Sequence, residues 1–292
     1  MAPVLTLPGG RMMAYAAYGA PEGRPVLYFH GTPGTEGTGA IAEEAALAHH
    51  LRLIALTRPG YGETTLTPPG LASVARDALV LADTLGLETF LTHGVSGGGP
   101  YAVAVAAVAP DRVDGVLASA GTGRHLEIKP EAFSQTDREQ IARATAGDLE
   151  GATAAMTAQT ITDMGPLLEL DADAFAVAFR ALLPPGERSM DDHPEIRRIL
   201  MADVHQALRT VAGYVRDHLS WGMPWDIDLG AITSPTLLVH GDRDAMVPAD
   251  HGQWLAERIP GAERIVLADA DHGVVTMLRL DEQYARLVAI AR

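Results

Sequence analysis

The chain has 292 residues, 47% of them hydrophobic, and carries 22 Lys and Arg against 37 Asp and Glu, a formal net charge of −15. That length is ample for a deep core in one large or two modest domains, and the acidic balance disfavours nucleic acid and anionic membrane surfaces, which demand clustered cations. The absence of cysteine excludes thiol nucleophiles, disulfides and zinc–thiolate sites together.

The first residues lack a basic segment followed by an apolar core, and no uncharged run nears the ~20 residues of a membrane span, so a cytoplasmic protein is expected. Val4 to Leu7 and Met12 to Tyr18 read as two strands around the turn Pro8-Gly9-Gly10. Pro25 to Phe29 is a continuous apolar run of the kind buried on both faces in a parallel sheet, and it stops at His30-Gly31-Thr32-Pro33-Gly34. An alanine-rich helix is expected over Ile41 to His50, a strand over Leu53 to Leu56, and a turn at Arg58-Pro59-Gly60-Tyr61-Gly62. Leu71 to Leu85 repeats apolar residues at helical spacing. A short strand beginning at Phe90 then runs into Gly94-Val95-Ser96-Gly97-Gly98, a small-residue helix follows to Pro110, and Val113 to Ala118 is another strand. From Pro130 to Leu219 the pattern is helical only, with breaks expected at Gly147, Gly165-Pro166 and Pro184-Pro185-Gly186. Strands return at Thr236 to Val239 and Arg264 to Leu267, with helices from Ala249 to Ile259 and Gly273 to Ala291. Strands alternating with helices predict an α/β fold with a doubly wound, mostly parallel sheet. The expected division is 1–121 for the first part of the sheet unit, 122–230 for an inserted helical cap, and 231–292 for its second part.

Gly-x-Ser-x-Gly between a strand and a helix describes a nucleophile elbow, a turn so sharp that the serine stands exposed at its apex. Ser96 is therefore the candidate nucleophile; the alternative is a helix N-cap in a glycine-rich turn. A serine hydroxyl needs a base within hydrogen-bond reach, itself oriented by a third group. Sheets bearing such an elbow supply these in the chain order Ser, Asp or Glu, His, each past a strand end. Asp244 and His272 fit that order. Among the other histidines His30 and His240 suit turns, His93 suits packing, and His251 is the rival base although it falls in a helix. Asp242 is the rival acid, and Asp269 and Asp271 read as solvated turn residues. Two backbone N–H groups complete an oxyanion hole: Gly97, after the nucleophile, and Thr32, on the loop after the first parallel strand.

His30-Gly31-Thr32-Pro33-Gly34, Arg58-Pro59-Gly60-Tyr61-Gly62, Gly94-Val95-Ser96-Gly97-Gly98, Gly241-Asp242-Arg243-Asp244 and Asp271-His272-Gly273 together resemble the α/β-hydrolase superfamily, in its serine-nucleophile form with a helical cap. The resemblance covers the sheet unit and is least specific in the cap. It implies that the acid is the second Asp of the Gly-Asp-x-Asp turn, Asp244. The superfamily holds esterases, amidases, C–C bond hydrolases, cofactor-free oxygenases and lyases, and fold alone does not choose among them. The expected function is hydrolysis of an ester or related acyl bond through an acyl-Ser96 intermediate. The alternatives are a lyase, C–C cleaving or oxygenase activity, or a receptor-like binding module. The methionine-rich insertion (Met156, Met164, Met190, Met201), with Trp221, Met223 and Trp225 at its exit, suits either an apolar substrate pocket or a seal against the sheet. A small-molecule substrate is expected, with no cofactor, metal, nucleic acid or membrane partner; oligomeric state is left open.

Overall fold

In the run Val26-Leu27-Tyr28-Phe29 every residue is buried, but successive side chains enter different cores, as the two-residue period of a strand demands. Leu27 and Phe29 pack on one face of the sheet, Val26 and Tyr28 on the other. This is why the sequence shows an unbroken apolar run where a half-exposed strand would alternate. The computed structural model describes residues 2–292, apart from the side chain of Ala132; Met1, the first residue of the expected sheet unit, lies outside the described residues.

Among the described residues, eight strands form one sheet: β1 (Val4–Thr6), β2 (Met12–Gly19), β3 (Arg24–Phe29), β4 (Leu51–Leu56), β5 (Phe90–Val95), β6 (Val113–Ser119), β7 (Thr236–Gly241) and β8 (Glu263–Leu267). Their spatial order is β1-β2-β4-β3-β5-β6-β7-β8. β1 and β4 run antiparallel to β2, and every pair from β4 to β8 is parallel. From β3 the chain turns outward to β4, then crosses back to β5 on the other side. The order thus reverses between β3 and β5, the place where open α/β sheets hold their ligands. In the β3–β5 register Phe29 stands beside Gly94, so the Thr32 loop and the Ser96 turn leave the sheet side by side.

Helices α1 (Glu43–Ala48), α2 (Ala72–Thr84) and α3 (Gly99–Val108) precede the insertion. Between β6 and β7 lie α4 (His125–Ile128), α5 (Gln135–Thr145), α6 (Leu149–Leu168), α7 (Ala172–Leu182), α8 (Pro194–Ala207) and α9 (Ala212–Gly222), and α10 (Asp250–Ala256) and α11 (Leu280–Ile290) follow. Helices α2, α3 and α10 cover the Phe29 face, while α1 and α11 cover the Tyr28 face. The inserted helices have apolar clusters of their own, one around Phe133, Ile141, Met156 and Leu219 and one around Phe175, Val204 and Leu208.

Three expected elements differ. The helix from Ile41 contracts to α1, because a 3₁₀ stretch over Glu36–Ala42 precedes it, capped by the Thr35 hydroxyl on Gly37 N–H. Gly165-Pro166 does not break its helix: α6 continues through Pro166 to Leu168. Pro166 forfeits its hydrogen bond to the Thr162 carbonyl and crowds that carbonyl, a cost confined to the last turn, after which the helix ends within two residues. The closing helix is divided, with a π-turn over Val274–Leu278 directly after His272 and α11 beyond it. Such turns are frequent at functional sites.

Candidate active site

β5 delivers Ser96 at the carboxyl edge of the sheet with φ at +53°, a left-handed backbone that L-residues adopt only under external constraint. The constraint is the tightness of the turn. A Cβ at Gly94 would overlap the Gly98 carbonyl, and one at Gly98 would overlap the Phe29 carbonyl. The glycines thus let α3 begin almost against the strands, leaving the serine at the apex. Gly97 is the second residue of the 3₁₀ and α-helical stretch that begins at Ser96, so its N–H has no acceptor earlier in its own helix. Its Cα faces the Thr32 hydroxyl and the Trp221 ring, both of which a Cβ would strike. The two residues expected to supply the oxyanion donors are therefore neighbours.

The turn after β7 and the loop after β8 carry the other two residues. His272 Nδ1 lies 2.8 Å from Asp244 Oδ2, while Asp244 Oδ1 accepts the N–H groups of Met246 at 2.9 Å and Val247 at 2.7 Å. A carboxylate held this way directs the Nδ1 proton of the neutral imidazole toward itself and leaves Nε2 as the free acceptor. Burial by itself would lower the His272 pKa; the bonded Asp244 carboxylate, with Glu187 and Asp271 nearby, outweighs it and raises the pKa above the ordinary 6.5. Asp242, the rival acid, accepts only the Ala270 N–H at 3.3 Å. His251, the rival base, accepts the Gly123 N–H at 3.0 Å from within α10 and borders no part of the site. His30 accepts the Arg58 N–H at 3.0 Å, and His93 is buried between Tyr284 and Ser119.

Ser96, His272 and Thr32 border one cavity of about 130 Å³. Its floor is the sheet edge, and its far wall comes from the insertion through Phe179, Leu183, Leu200 and Val204. Of the methionines singled out in the sequence, Met190 and Met201 line this cavity, together with Met246 and Met277. Met156 and Met164 lie instead within the insertion, and Trp225 packs against Trp254.

Sequence reasoning missed three carboxylates that the insertion plants on the sheet unit. Asp217 on α9 is fully buried and pairs with Arg58 at 2.7 Å; it also accepts hydroxyls from Thr32 at 2.7 Å, Tyr61 at 3.0 Å and Tyr101 at 2.6 Å. Burial pushes its pKa up, but the Arg58 guanidinium and these donors bring it down to about 2. Asp203 on α8 accepts the Thr35 N–H at 2.8 Å and the Thr35 hydroxyl, and burial lifts its pKa to about 6. Glu187, between α7 and α8, accepts the Ala245 and His272 N–H groups. Asp271 requires correction: it is a buried anchor, accepting the N–H groups of Arg188 at 3.0 Å and Ser189 at 2.9 Å and the Ser189 hydroxyl at 2.6 Å. A solvated turn is the natural reading of an Asp beside a strand end; the insertion covers this one. Arg58 was the one available signal, an arginine at the end of an apolar strand that needs a buried counter-charge.

A family model described as alpha/beta hydrolase fold matches residues 24–275. The dihydrolipoyllysine-residue acetyltransferase component of the acetoin cleaving system of Pseudomonas putida is 28% identical over 290 residues, covering 97% of this chain and 68% of that protein. The 2-hydroxymuconate semialdehyde hydrolase of Pseudomonas putida is 27% identical, covering 91% of this chain and 86% of that one. The bromoperoxidase structure from Bacillus anthracis superposes with a TM-score of 0.71 at 20% identity, over 99% of this chain and 100% of that one, a likeness of fold. With the sheet order, the strand-end loops and the family match over most of its length in agreement, this chain belongs to the alpha/beta hydrolase family and is one of its enzymes.

Proposed function

We propose that the protein is a serine hydrolase that cleaves an ester, or a related acyl bond, of a small-to-medium apolar substrate. The observation that carries this reading is the shared cavity: a serine on a left-handed elbow residue faces the same space as a buried His272–Asp244 hydrogen-bonded pair. His272 Nε2 takes the Ser96 proton as Oγ attacks the acyl carbon. The N–H groups of Gly97 and Thr32 receive the oxyanion of the tetrahedral intermediate. The imidazolium, stabilised by Asp244, then protonates the departing alcohol, and water activated by His272 releases the acid. The apolar wall, with methionines that adapt to varied shapes, supports an acyl or aryl group as ligand. The cavity is roughly ten times the smallest space that holds one water, which suits such a size.

The test is labelling of Ser96 by a fluorophosphonate together with turnover of p-nitrophenyl acyl esters. Ser96→Ala should abolish labelling and lower kcat by roughly 10⁴- to 10⁶-fold. If the folded protein resists labelling, or Ser96→Ala keeps its turnover, the acyl-enzyme reading fails. The second of these results would favour chemistry in which His272 acts as a base alone, as in lyase or oxygenase reactions.

A further inference from the structure

Glu187 belongs to the insertion, yet its carboxylate lies between the two loops that follow β7 and β8. Oε1 accepts the Ala245 N–H at 2.8 Å, and Oε2 accepts the His272 N–H at 2.8 Å. Ala245 is the neighbour of the acid, and His272 carries the imidazole. One side chain thus ties the backbone at both ends of the Asp244–His272 hydrogen bond. Glu187 is 7% exposed and borders the cavity.

A carboxylate in this place is hard to explain as packing. Burial pushes the Glu187 pKa up, and the two N–H donors offset that only in part. The nearby guanidinium, Arg180, is engaged on both its arms by Asp191 at 2.8 Å and forms no ion pair with Glu187. A hydrocarbon side chain would fill the same space without this desolvation. What it would lack is an acceptor for each of two N–H groups on different loops. Asp271 works in the same sense from the other side, holding Arg188 and Ser189 of the insertion.

We propose that Glu187 is a positioning residue for the base: by accepting one N–H from each loop it sets the separation of Asp244 and His272, so that the insertion takes part in assembling the catalytic pair. The inference rests on the Ser96–His272–Asp244 reading. It also has an electrostatic side. The imidazole is faced by Asp244 from the β7 turn, Asp271 from its own loop and Glu187 from the insertion, with His240 and Arg180 as the cationic or neutral groups of the surroundings. Removing the Glu187 charge therefore lowers the His272 pKa.

The experiment compares Glu187→Gln, Glu187→Ala and, as a control in the same loop, Arg188→Ala, whose exposed side chain touches neither catalytic loop. Glutamine keeps the shape but presents an NH₂ group to one of the two N–H donors. Glu187→Gln should lower kcat by about 10- to 100-fold with KM nearly unchanged, the cost of a displaced base. Its acid limb of kcat/KM should move to lower pH, and fluorophosphonate labelling should slow in step. Glu187→Ala should do the same or worse, and Arg188→Ala should behave as the parent. The proposal is overturned if folded Glu187→Gln keeps the parent kcat and an unmoved acid limb, or loses activity only in proportion to its loss of folded protein. Should the parent protein itself resist labelling, the hydrolase reading falls. The positioning contact is then decided by NMR titration of His272: a lower pKa with shifted 245 and 272 amide resonances in Glu187→Gln upholds it, and an unchanged titration ends it.

Discussion

At φ +53° Ser96 occupies backbone space that costs an L-residue about 1–3 kcal/mol, a strain retained where surrounding structure over-determines it. The return on that strain is a hydroxyl at the apex of the turn, bordering the same cavity as His272; on the proposed mechanism its proton passes to that imidazole. The direction is set by Asp244: with its carboxylate on Nδ1, the lone pair of His272 is at Nε2. Asp244→Asn presents either a donor or a weaker acceptor to Nδ1 and favours the wrong tautomer. It should lower kcat by about 10⁴-fold while thermal unfolding shows a folded protein. The same pair fixes the pH response. His272 must be neutral to act, and its folded pKa lies above the ordinary 6.5, so kcat/KM should fall as pH drops through that raised value. In Asp244→Asn, which lacks the main stabiliser of the imidazolium, the residual activity should persist to lower pH; a pH–rate profile of the two proteins reads this directly.

Helix α9 shows how an element of the insertion is held. Arg216 and Asp217 stand among its buried residues. Their partners lie on the sheet unit: Arg216 donates to the Thr67 and Gly70 carbonyls, and Asp217 receives Arg58, Thr32, Tyr61 and Tyr101. One turn further on, Trp221 lies against Gly97. The helix therefore touches the loops that carry Thr32 and Gly97. Asp217→Asn leaves the buried Arg58 charge uncompensated and should destabilise the protein by about 3–5 kcal/mol, measured by denaturant unfolding at neutral pH. Because the folded pKa of Asp217 is depressed to about 2 from an ordinary 3.8, its contribution is present above the latter value and lost as pH falls through the former. The difference between parent and variant should accordingly narrow in acid.

For the molecule as a whole, the cavity exists because two units meet over the carboxyl edge of one sheet. Neither the strand-end loops nor the inserted helices enclose it alone: Ser96, Thr32 and His272 come from the first, Phe179, Leu200 and Met201 from the second. On the proposed function the insertion sets substrate size. Met201→Trp, on α8, adds bulk to that wall and should shift the preferred p-nitrophenyl ester toward shorter acyl chains, with a fall in kcat/KM that grows with chain length. An unchanged chain-length profile would place the acyl group elsewhere. No helix among the described residues is long and apolar enough to cross a membrane.

What the sequence determined by itself is local. Apolar runs bounded by glycine and proline marked the strands, and the Gly-x-Ser-x-Gly turn marked Ser96, because close backbone approach leaves its trace in the residues that must lack a Cβ. Chain order set His272 apart from ten other histidines as the candidate base, and the structure places its Nδ1 2.8 Å from Asp244. Gly165-Pro166 misled, since a proline near a helix end looks in sequence like one that stops it. Only the tertiary structure decided what Glu187, Asp203, Asp217 and Asp271 do. Each accepts backbone N–H groups or side chains far along the chain, from 58 residues away for Glu187 and Ala245 to 185 for Asp217 and Thr32. Isolated acids in helices and turns look the same whether water or a distant amide receives them, and burial, which depends on the whole fold, makes the choice.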